Sequence, residues 1–310
     1  MSRIHEALKK TAQERSEQLA GRSAQELIAI VEAPKLDAAP RIEQVVEDRN
    51  AVTPRAEFGQ REFERFMLKC RQAEWRIEPR YSVFAKGAAH KVGVERFGTL
   101  RSRLYQIAAA QPLRRILLTS SIPEEGKTFV SSNLAQSFIR QTGRRVLLID
   151  ADLRISRLHL TLGALKEPGL ADYLCDDIDL TKIIQVGAEN NLCFIGGGRE
   201  VSNPSELLHS ERMKLLLDKL TPMFDWVILD SPPALLVHDA SMLADMCDGV
   251  LFVVRAGRTS FETAEKAVLE FRDKKILGVV LNRVEDVALY HNYHYGYSGE
   301  SKQDRPTVGI

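Results

Sequence analysis

The chain has 310 residues, of which 44% are hydrophobic and 27% charged, a composition that can bury one sizeable core and some accessory segments. Its apolar runs are far shorter than the roughly 18 to 20 residues that a helix needs to cross a bilayer, so a membrane-spanning protein is excluded. With 43 Lys and Arg against 42 Asp and Glu, the formal charge is +1, so no overall field would hold the chain on nucleic acid.

The cysteines and the first ten residues indicate the cellular compartment of the chain. The four cysteines, at positions 70, 175, 193 and 247, form no CxxC pair and no metal-ligand spacing. This distribution suits reduced, buried thiols. The first ten residues carry a charge every few positions and have no apolar segment, so they do not have the pattern of a secretory signal. A cytoplasmic location is therefore expected.

Residues 1–88 differ from the rest of the chain in composition and in the pattern of their apolar residues. Short amphipathic pieces, such as 24–31 and 63–68, alternate with a stretch rich in Pro, Ala and charge at 34–54. No strand-like run occurs there, and the apolar residues are too few for a separate core. The pattern predicts a partly helical, partly disordered N-terminal extension.

A second region, 89–283, has the pattern of an α/β domain. A helix is predicted over 94–110, and apolar runs then alternate with amphipathic stretches of helix length. The six runs predicted as strands are 115–119, 146–150, 192–195, 226–230, 250–254 and 277–281. Continuous rather than alternating hydrophobicity is typical of strands covered on both faces, so a doubly wound, mainly parallel sheet is predicted. Functional residues are then expected at the carboxyl ends of the strands.

A phosphate-binding loop follows the first predicted strand. The sequence Ser-Ile-Pro-Glu-Glu-Gly-Lys-Thr at 121–128 leads into a helix-like segment, which is the context of a GxxxxGK[ST] motif. Backbone N–H groups of the loop would surround the phosphates, and Gly126 would let the backbone approach them. Lys127 would offset the β/γ charge, and the Thr128 hydroxyl would lie on Mg²⁺. The alternative is a chance Gly-Lys-Thr at a helix start.

The loop departs from the motif in its first half. Ser121 replaces the first glycine, and two carboxylates, Glu124 and Glu125, lie where a triphosphate is expected. Like charges would repel the ligand, so both side chains are expected to point away from it.

Three acidic residues end two of the predicted strands. Asp150 and Asp152 are two residues apart in extended chain and would share a side, while Asp230 ends the fourth strand. Three carboxylates facing one phosphate loop need a cation among them, and Mg²⁺ on ATP fits that need. Capping of the next helix is the alternative for any single aspartate.

Together these motifs resemble the bacterial tyrosine autokinases of capsule and exopolysaccharide synthesis, P-loop enzymes unlike eukaryotic kinases. The resemblance covers about 94–283 and the tail. Its motifs are Pro-Glu-Glu-Gly-Lys-Thr at 123–128, Leu-Ile-Asp-Ala-Asp-Leu-Arg at 148–154, Gly-Leu-Ala-Asp-Tyr-Leu at 169–174, Asn-Pro-Ser-Glu-Leu-Leu at 203–208, Phe-Asp-Trp-Val-Ile-Leu-Asp-Ser-Pro-Pro at 224–233 and Leu-Asn-Arg at 281–283. The Met-Ser-Arg-Ile start with its long extension is similar to stand-alone members associated with exosortase systems.

The resemblance implies a role for each site residue. Lys127 binds phosphate, Asp150 is the base toward the tyrosine hydroxyl, and Asp152 completes the catalytic set. Mg²⁺ is held, directly or through water, by Thr128, Asp152 and Asp230. The remaining positions implied in nucleotide binding are Glu125, Gly126, Phe129, Asn282 at the adenine, and Arg283.

The last segment, 284–310, is polar and predicts a flexible tail. Four of the chain's seven tyrosines lie there within eight residues, at Tyr290, Tyr293, Tyr295 and Tyr297. A solvated tail has no packing reason for this density. In the family such a cluster is the substrate of autophosphorylation, so the resemblance implies that these are the phosphoacceptors. The alternatives are an aromatic recognition tail and incidental metal binding by its two histidines.

The resemblance also implies partners. A kinase of this type without a membrane segment needs a separate inner-membrane activator, a polysaccharide co-polymerase, and associates with the membrane through it. A cognate tyrosine phosphatase is implied, and no nucleic acid. The family's ExxRxxR helix motif is incomplete, because Gly98 replaces its middle Arg between Glu95 and Arg101. Gly98 cannot form the ion pair between subunits, so the size of any homo-oligomer is left open. Glu124, where the family usually has Gly, is expected to weaken nucleotide binding.

Two other functions fit the same residues. A ParA/MinD-like ATPase has the same fold and would hydrolyse ATP, but Ile122 occupies the position of the second loop lysine of those proteins. A nucleotide-binding scaffold with a docking tail would do no chemistry.

Overall fold

The computed structural model of the chain describes residues 56–85, 91–187 and 191–284. The predictions for the N-terminal residues 1–55 and for the tyrosine-rich tail from residue 285 onward therefore lie outside the described residues.

The described residues alternate strands with helices. The strands are β1 Arg71–Gln72, β2 Arg115–Ser120, β3 Val146–Asp150, β4 Ile184–Val186, β5 Leu192–Ile195, β6 Trp226–Asp230, β7 Gly249–Arg255 and β8 Ile276–Asn282. The α-helices are α1 Gln60–Met67, α2 Lys91–Ala110, α3 Lys127–Ile139, α4 Leu158–Leu162, α5 Leu170–Cys175, α6 Leu180–Ile183, α7 Pro204–Leu208, α8 Glu211–Leu220, α9 Asp239–Ala244 and α10 Phe261–Leu269. None of the helices in this part of the chain combines the length and apolar character that crossing a membrane requires.

The strands form one sheet in the order β1-β4-β5-β3-β6-β2-β7-β8. Only the β4–β5 pair is antiparallel among the pairings of the described strands. The predicted mainly parallel, doubly wound sheet is confirmed, and the six predicted strands agree with the observed ones to within one residue at each end. The predicted helix at 94–110 begins three residues earlier, at Lys91.

The long apolar runs are explained by burial on both faces of the sheet. In β3, Leu147 and Ile149 pack into one hydrophobic cluster, whereas Val146 and Leu148 pack into the other. All four side chains are completely buried. The helices cover the two faces, so neither face needs polar residues.

Part of the predicted N-terminal extension packs onto this sheet. Phe63 and Met67, on one side of α1, lie in the same cluster as the sheet residues, and the Phe63 ring meets Phe224 edge-on at 5.6 Å. Strand β1 pairs with β4 at the sheet edge. The predicted extension 1–88 thus contains an ordered segment that belongs to the core of the domain. An eight-residue amphipathic helix cannot bury its apolar side alone, so it covers an otherwise open part of the sheet.

Asp225, just before β6, binds the segment that carries α1 to the rest of the domain. Its side chain is buried and accepts hydrogen bonds from the backbone N–H of Ala56 at 3.0 Å and of Arg145 at 2.7 Å. The Arg144 guanidinium lies 3.2 Å from it. Because a buried carboxylate needs several donors, this network couples three separate stretches of chain.

Replacing Asp225 by Ala is expected to lower the free energy of unfolding by roughly 2 to 4 kcal/mol, since its donors lose a buried, charged acceptor. Urea denaturation followed by circular dichroism measures the loss. The matched control is Asp218→Ala, because the Asp218 side chain is 53% exposed and pairs with Arg115. We expect that control to cost less than about 1 kcal/mol. Equal losses in the two variants would contradict the role given to Asp225.

The sheet register brings the acidic strand ends together. Asp150 at the end of β3 is the direct neighbour of Asp230 at the end of β6, and Leu118 of β2 is opposite Asp230 on its other side. Two residues further on, β2 ends and the phosphate loop begins. The predicted functional residues therefore meet at the carboxyl edge of the sheet, as expected for this topology.

Candidate active site

The phosphate loop turns sharply at Gly126, directly before α3. Its backbone is left-handed, with φ +94°, and a Cβ atom there would lie 2.0 Å from Nδ2 of Asn282. That Asn282 amide donates a hydrogen bond of 2.8 Å to the Glu125 carbonyl. Only glycine combines this conformation with so close a neighbour. The turn leaves the first N–H groups of a thirteen-residue helix at the site, where an anion is favoured.

Glu125 points into the protein, away from the phosphate side of the loop. Its carboxylate is buried and accepts hydrogen bonds from the Ile122 N–H at 2.7 Å and the Thr259 hydroxyl at 2.5 Å. The N–H of Arg255 is 3.4 Å away. The side chain therefore holds the loop against the end of β7, and any contact of Glu125 with a nucleotide is left to its backbone.

Glu124 also points away, toward solvent. Its carboxylate lies 2.8 Å from Nη1 of Arg258, and this hydrogen bond and charge hold the pKa of Glu124 below its usual range. The backbone of Glu124 is left-handed, with φ +65°, a conformation that favours glycine. Both loop glutamates are thus placed as the charge argument predicts.

Lys127, the first residue of α3, faces the acidic strand ends. Its ammonium group lies 3.0 Å from Oδ2 of Asp152, and its side chain is only 13% exposed. Burial by itself would lower the pKa of Lys127, but the carboxylates of Asp230 and Asp152 outweigh burial and raise it. The ammonium is therefore charged at neutral pH and is available to a phosphate at the mouth of the loop.

The next residue of the loop, Thr128, is bound to the end of β6. Its hydroxyl donates to Oδ2 of Asp230 at 2.7 Å, and Ser131, one helical turn later, donates to Oδ1 at 2.9 Å. Burial raises the pKa of Asp230, and the charge of Lys127 acts against that rise. Ser131 was not predicted as a site residue. The spacing of three residues from Thr128, which puts both hydroxyls on one side of a helix, is the signal that could have found it.

Asp150 is completely buried behind these residues. Its carboxylate accepts hydrogen bonds from the Ser156 hydroxyl at 2.7 Å and the Leu158 N–H at 3.0 Å, and from the Asp152 N–H at 3.2 Å. Burial, followed by the charge of Asp230, raises the pKa of Asp150 to about 7. A carboxylate with this pKa can accept a proton at neutral pH, which an ordinary aspartate does poorly.

The donor set fits Mg²⁺ held together with a nucleotide. Among the described residues no three His, Cys, Asp or Glu side chains are arranged to hold a metal by themselves. Mg²⁺ commonly binds one or two protein oxygens and completes its shell with water and phosphate oxygens. Thr128, Asp152 and Asp230 supply oxygens of that kind, so the residues present fit a magnesium nucleotide better than a bare metal.

Three of the residues predicted to bind the nucleotide line one groove. Phe129, Asn282 and Arg283 border a cavity of about 470 Å³ between α2, the start of α3 and the end of β8. The Phe97 and Val83 side chains form part of its apolar wall. An apolar wall with an amide at one end is chemistry that suits a purine base.

An ion pair next to the loop that follows β3, residues 151–157, here called the acidic loop, was also missed from the sequence. The Arg154 guanidinium donates to the buried Asp239 carboxylate at 2.8 Å and to the Ser205 hydroxyl at 2.8 Å. Arg154 follows Asp152 by two residues, so this contact fixes the acidic loop against α7 and α9. No local pattern connects three residues so far apart in sequence.

A strand, a GxxxxGK-type loop and a helix that face acidic strand ends define a P-loop nucleotide-binding protein. Residues 124–274 match the AAA domain family. Tyrosine-protein kinase YwqD of Bacillus subtilis is 33% identical over 220 residues, which are 70% of this chain and 91% of YwqD. The kinase domain of Escherichia coli tyrosine kinase ETK superposes with a TM-score of 0.59 at 34% identity, covering 63% of this chain and 77% of that domain.

This chain therefore belongs to the bacterial tyrosine-protein kinase family. The predicted family and the predicted class of enzyme, a protein-tyrosine kinase, are confirmed. Some relatives are much longer. Putative tyrosine-protein kinase EpsB of Ralstonia nicotianae is 35% identical over 206 residues, which are 66% of this chain but only 27% of EpsB. The predicted association with exosortase systems and the roles of the individual site residues stay predictions.

Proposed function

We propose that this kinase uses ATP to phosphorylate its own tyrosines at positions 290, 293, 295 and 297, and that their phosphorylation regulates exopolysaccharide polymerisation or export. The observation that supports it best is the buried Asp150 carboxylate beside Lys127 and Asp230, because its pKa of about 7 suits a base for a hydroxyl. Hydrolysis would transfer the phosphoryl group to water and would need no other acceptor. A kinase needs a protein hydroxyl as acceptor, and the tyrosine cluster supplies one within the same chain.

The site residues divide the work of phosphoryl transfer. Mg²⁺ bound with ATP would spread the charge of the transferred group. Lys127 holds the β- and γ-phosphates, and the N–H groups at the start of α3 bind their oxygens. Asp150 takes the proton of the tyrosine hydroxyl while the oxygen bonds to the γ-phosphorus and the bond to ADP breaks. Thr128, Asp152 and Asp230 would hold Mg²⁺ directly or through water, and Phe129, Asn282 and Arg283 form the groove for the base.

The partners and location proposed for this chain follow from family membership. They are a separate inner-membrane activator of the polysaccharide co-polymerase type, a cognate tyrosine phosphatase and peripheral attachment to the membrane through the activator. Four phosphates would add roughly −6 to −8 charges to a chain of formal charge +1, enough to change which surfaces it binds.

Incubation of the full chain with Mg·ATP, followed by anti-phosphotyrosine detection, tests the proposal. Replacement of the four tail tyrosines by Phe is expected to remove at least about nine-tenths of the signal while nucleotide binding is unchanged. The matched control changes Tyr81 and Tyr173 to Phe instead, two ordered tyrosines that pack under Arg80 and Arg212.

Three results are distinguishable. Loss of signal only in the tail variant supports the autokinase. ATP hydrolysis without phosphotyrosine would support the ParA/MinD-like ATPase, and nucleotide uptake with neither product would support the scaffold. The assay is run with and without the cytoplasmic segment of the activator, because a split kinase can depend on it for activity.

A further inference from the structure

The phosphate loop carries a negative charge that its function has to tolerate. Glu124 lies two residues before Gly126, within the part of the loop that would surround the phosphates. Its backbone, like that of Gly126, is left-handed, so the residue is fixed in the turn. A carboxylate in this place repels the several negative charges of a nucleoside triphosphate.

The ammonium group of Lys127 is directed toward other carboxylates than Glu124. Its ammonium group already faces the carboxylates of Asp152 and Asp230 at the other side of the loop. The group that meets Glu124 is Arg258, which lies 134 residues away in sequence, in the turn between β7 and α10. Its guanidinium donates to Oε2 of Glu124 at 2.8 Å. Arg255 and Arg283 also contribute positive charge near Glu124, but from a greater distance than this hydrogen bond.

The turn that carries Arg258 is itself fixed to the loop. Thr259, the next residue, donates its hydroxyl to the buried Glu125 carboxylate at 2.5 Å, and the Arg255 N–H faces the same group. The two neighbouring glutamates of the loop are therefore both bound to the 255–259 turn, one inside the protein and one at its surface. This second contact keeps Arg258 in reach of Glu124 although both side chains are exposed.

We propose that Arg258 is a positioning residue for nucleotide binding, which holds the Glu124 carboxylate away from the phosphates and neutralises its charge. The inference rests on the proposed nucleotide site. It predicts that Arg258 matters only as long as residue 124 is negative. A residue that contacted the nucleotide directly would matter whatever residue 124 carries.

The test is a double-mutant cycle of Arg258→Gln and Glu124→Gln, which remove the charges and keep the side-chain lengths. Isothermal titration calorimetry of the full chain with Mg²⁺ and a non-hydrolysable ATP analogue measures affinity. Arg258→Gln is expected to weaken binding about three- to tenfold at low salt, and this loss shrinks in 0.5 M NaCl because the charges are exposed. Glu124→Gln alone binds at least as tightly as the wild type.

The decisive comparison is the double variant, which is expected to bind within about twofold of Glu124→Gln. The charge control is Arg272→Gln, an exposed residue that pairs with Asp273 before the amino end of β8, whereas the site lies at the carboxyl ends of the strands. This variant is expected to leave the affinity unchanged. The inference is wrong if Arg258→Gln weakens binding equally in both backgrounds, or in neither. Wild-type protein that takes up no analogue would instead refute the nucleotide site, and with it both proposals.

Discussion

Replacing Asp150 by Asn is expected to reduce tyrosine phosphorylation at least about 100-fold and, at the same time, to stabilise the fold at alkaline pH. The activity is lost because an amide cannot take the proton of the tyrosine hydroxyl. Stability is gained because Asp150 is completely buried beside Asp230, where an ionised carboxylate is costly. A gain in stability together with a loss of function is the trade-off expected where catalysis needs a buried charge.

The sign of the pH dependence follows from the two pKa values of Asp150. Its pKa is about 7 in the folded chain and 3.8 in the reference state, so the folded state binds the proton more tightly. Stability contributed by this proton is present at low pH and is lost as the pH rises toward 7. Asn carries no such dependence. The advantage of Asp150→Asn should therefore grow by roughly 2 to 3 kcal/mol between pH 5 and pH 8.

Urea denaturation of both proteins at pH 5 and pH 8 measures that difference, and Asp218→Asn, at an exposed carboxylate, serves as the control with no expected change. Wild-type autophosphorylation should rise with pH through about 7, since only ionised Asp150 accepts the proton. If the stability difference between Asp150→Asn and the wild type is the same at pH 5 and pH 8, Asp150 does not hold a buried proton. If Asp150→Asn still phosphorylates tyrosine, Asp150 is not the base.

The sequence predicts strands β2, β3, β5, β6 and β7 well because each is buried on both faces. The unbroken apolar run at 146–149 in β3 is a local signal of a strand that is buried on both faces. Strands β1 and β4 lack that signal because they are only two and three residues long. β1 consists of Arg71 and Gln72, both exposed, and is extended only because it pairs with β4. Pairing with a distant partner is a tertiary effect that a local pattern does not contain.

The site shows the same division between local and distant information. Gly126, Lys127 and Thr128 are recognisable because a loop that binds phosphate needs those residue types in that order. The residues that support the site from other parts of the chain are not recognisable in this way. Ser156 supports Asp150 from a loop, and Arg258 meets Glu124 across 134 residues of sequence. Such contacts depend on which strand ends the sheet order brings together, which is known only once the fold is known.

The packing of α1 is a third case. Phe63 and Met67 give the helix one apolar side, and the sequence predicts an amphipathic piece there. The same pattern fits a helix whose apolar side binds a partner protein. Only the structure shows that the surface it covers is the chain's own sheet.

Replacing Lys127 by Met is expected to weaken binding of Mg·ADP at least about 100-fold and to leave no measurable phosphotyrosine. The Lys127 ammonium is the buried cation of the loop and lies 3.0 Å from Asp152. Met keeps the length of the side chain and removes its charge. Calorimetry with Mg·ADP measures the loss of binding, and Lys214→Met, at an exposed lysine that pairs with Glu211, is the matched control.

The same variant should lose stability, with the opposite pH dependence to Asp150→Asn. The raised pKa of Lys127 means that its charge stabilises the folded chain throughout the neutral range and is lost only at strongly alkaline pH. Without that charge, the carboxylates of Asp150 and Asp230 face each other uncompensated as soon as they ionise. The expected loss is roughly 3 kcal/mol at pH 8 and less at pH 5, where Asp150 holds its proton.

Combining the two substitutions separates electrostatics from simple damage to the fold. If Lys127 stabilises the chain by compensating Asp150, then Asp150→Asn should recover a large part of the stability that Lys127→Met loses at pH 8, and none of the activity. Urea denaturation of the two single variants and the double variant at pH 8 measures this coupling. Additive changes would show that the two charges do not interact, and the loop would then require another source of balance for its buried acids.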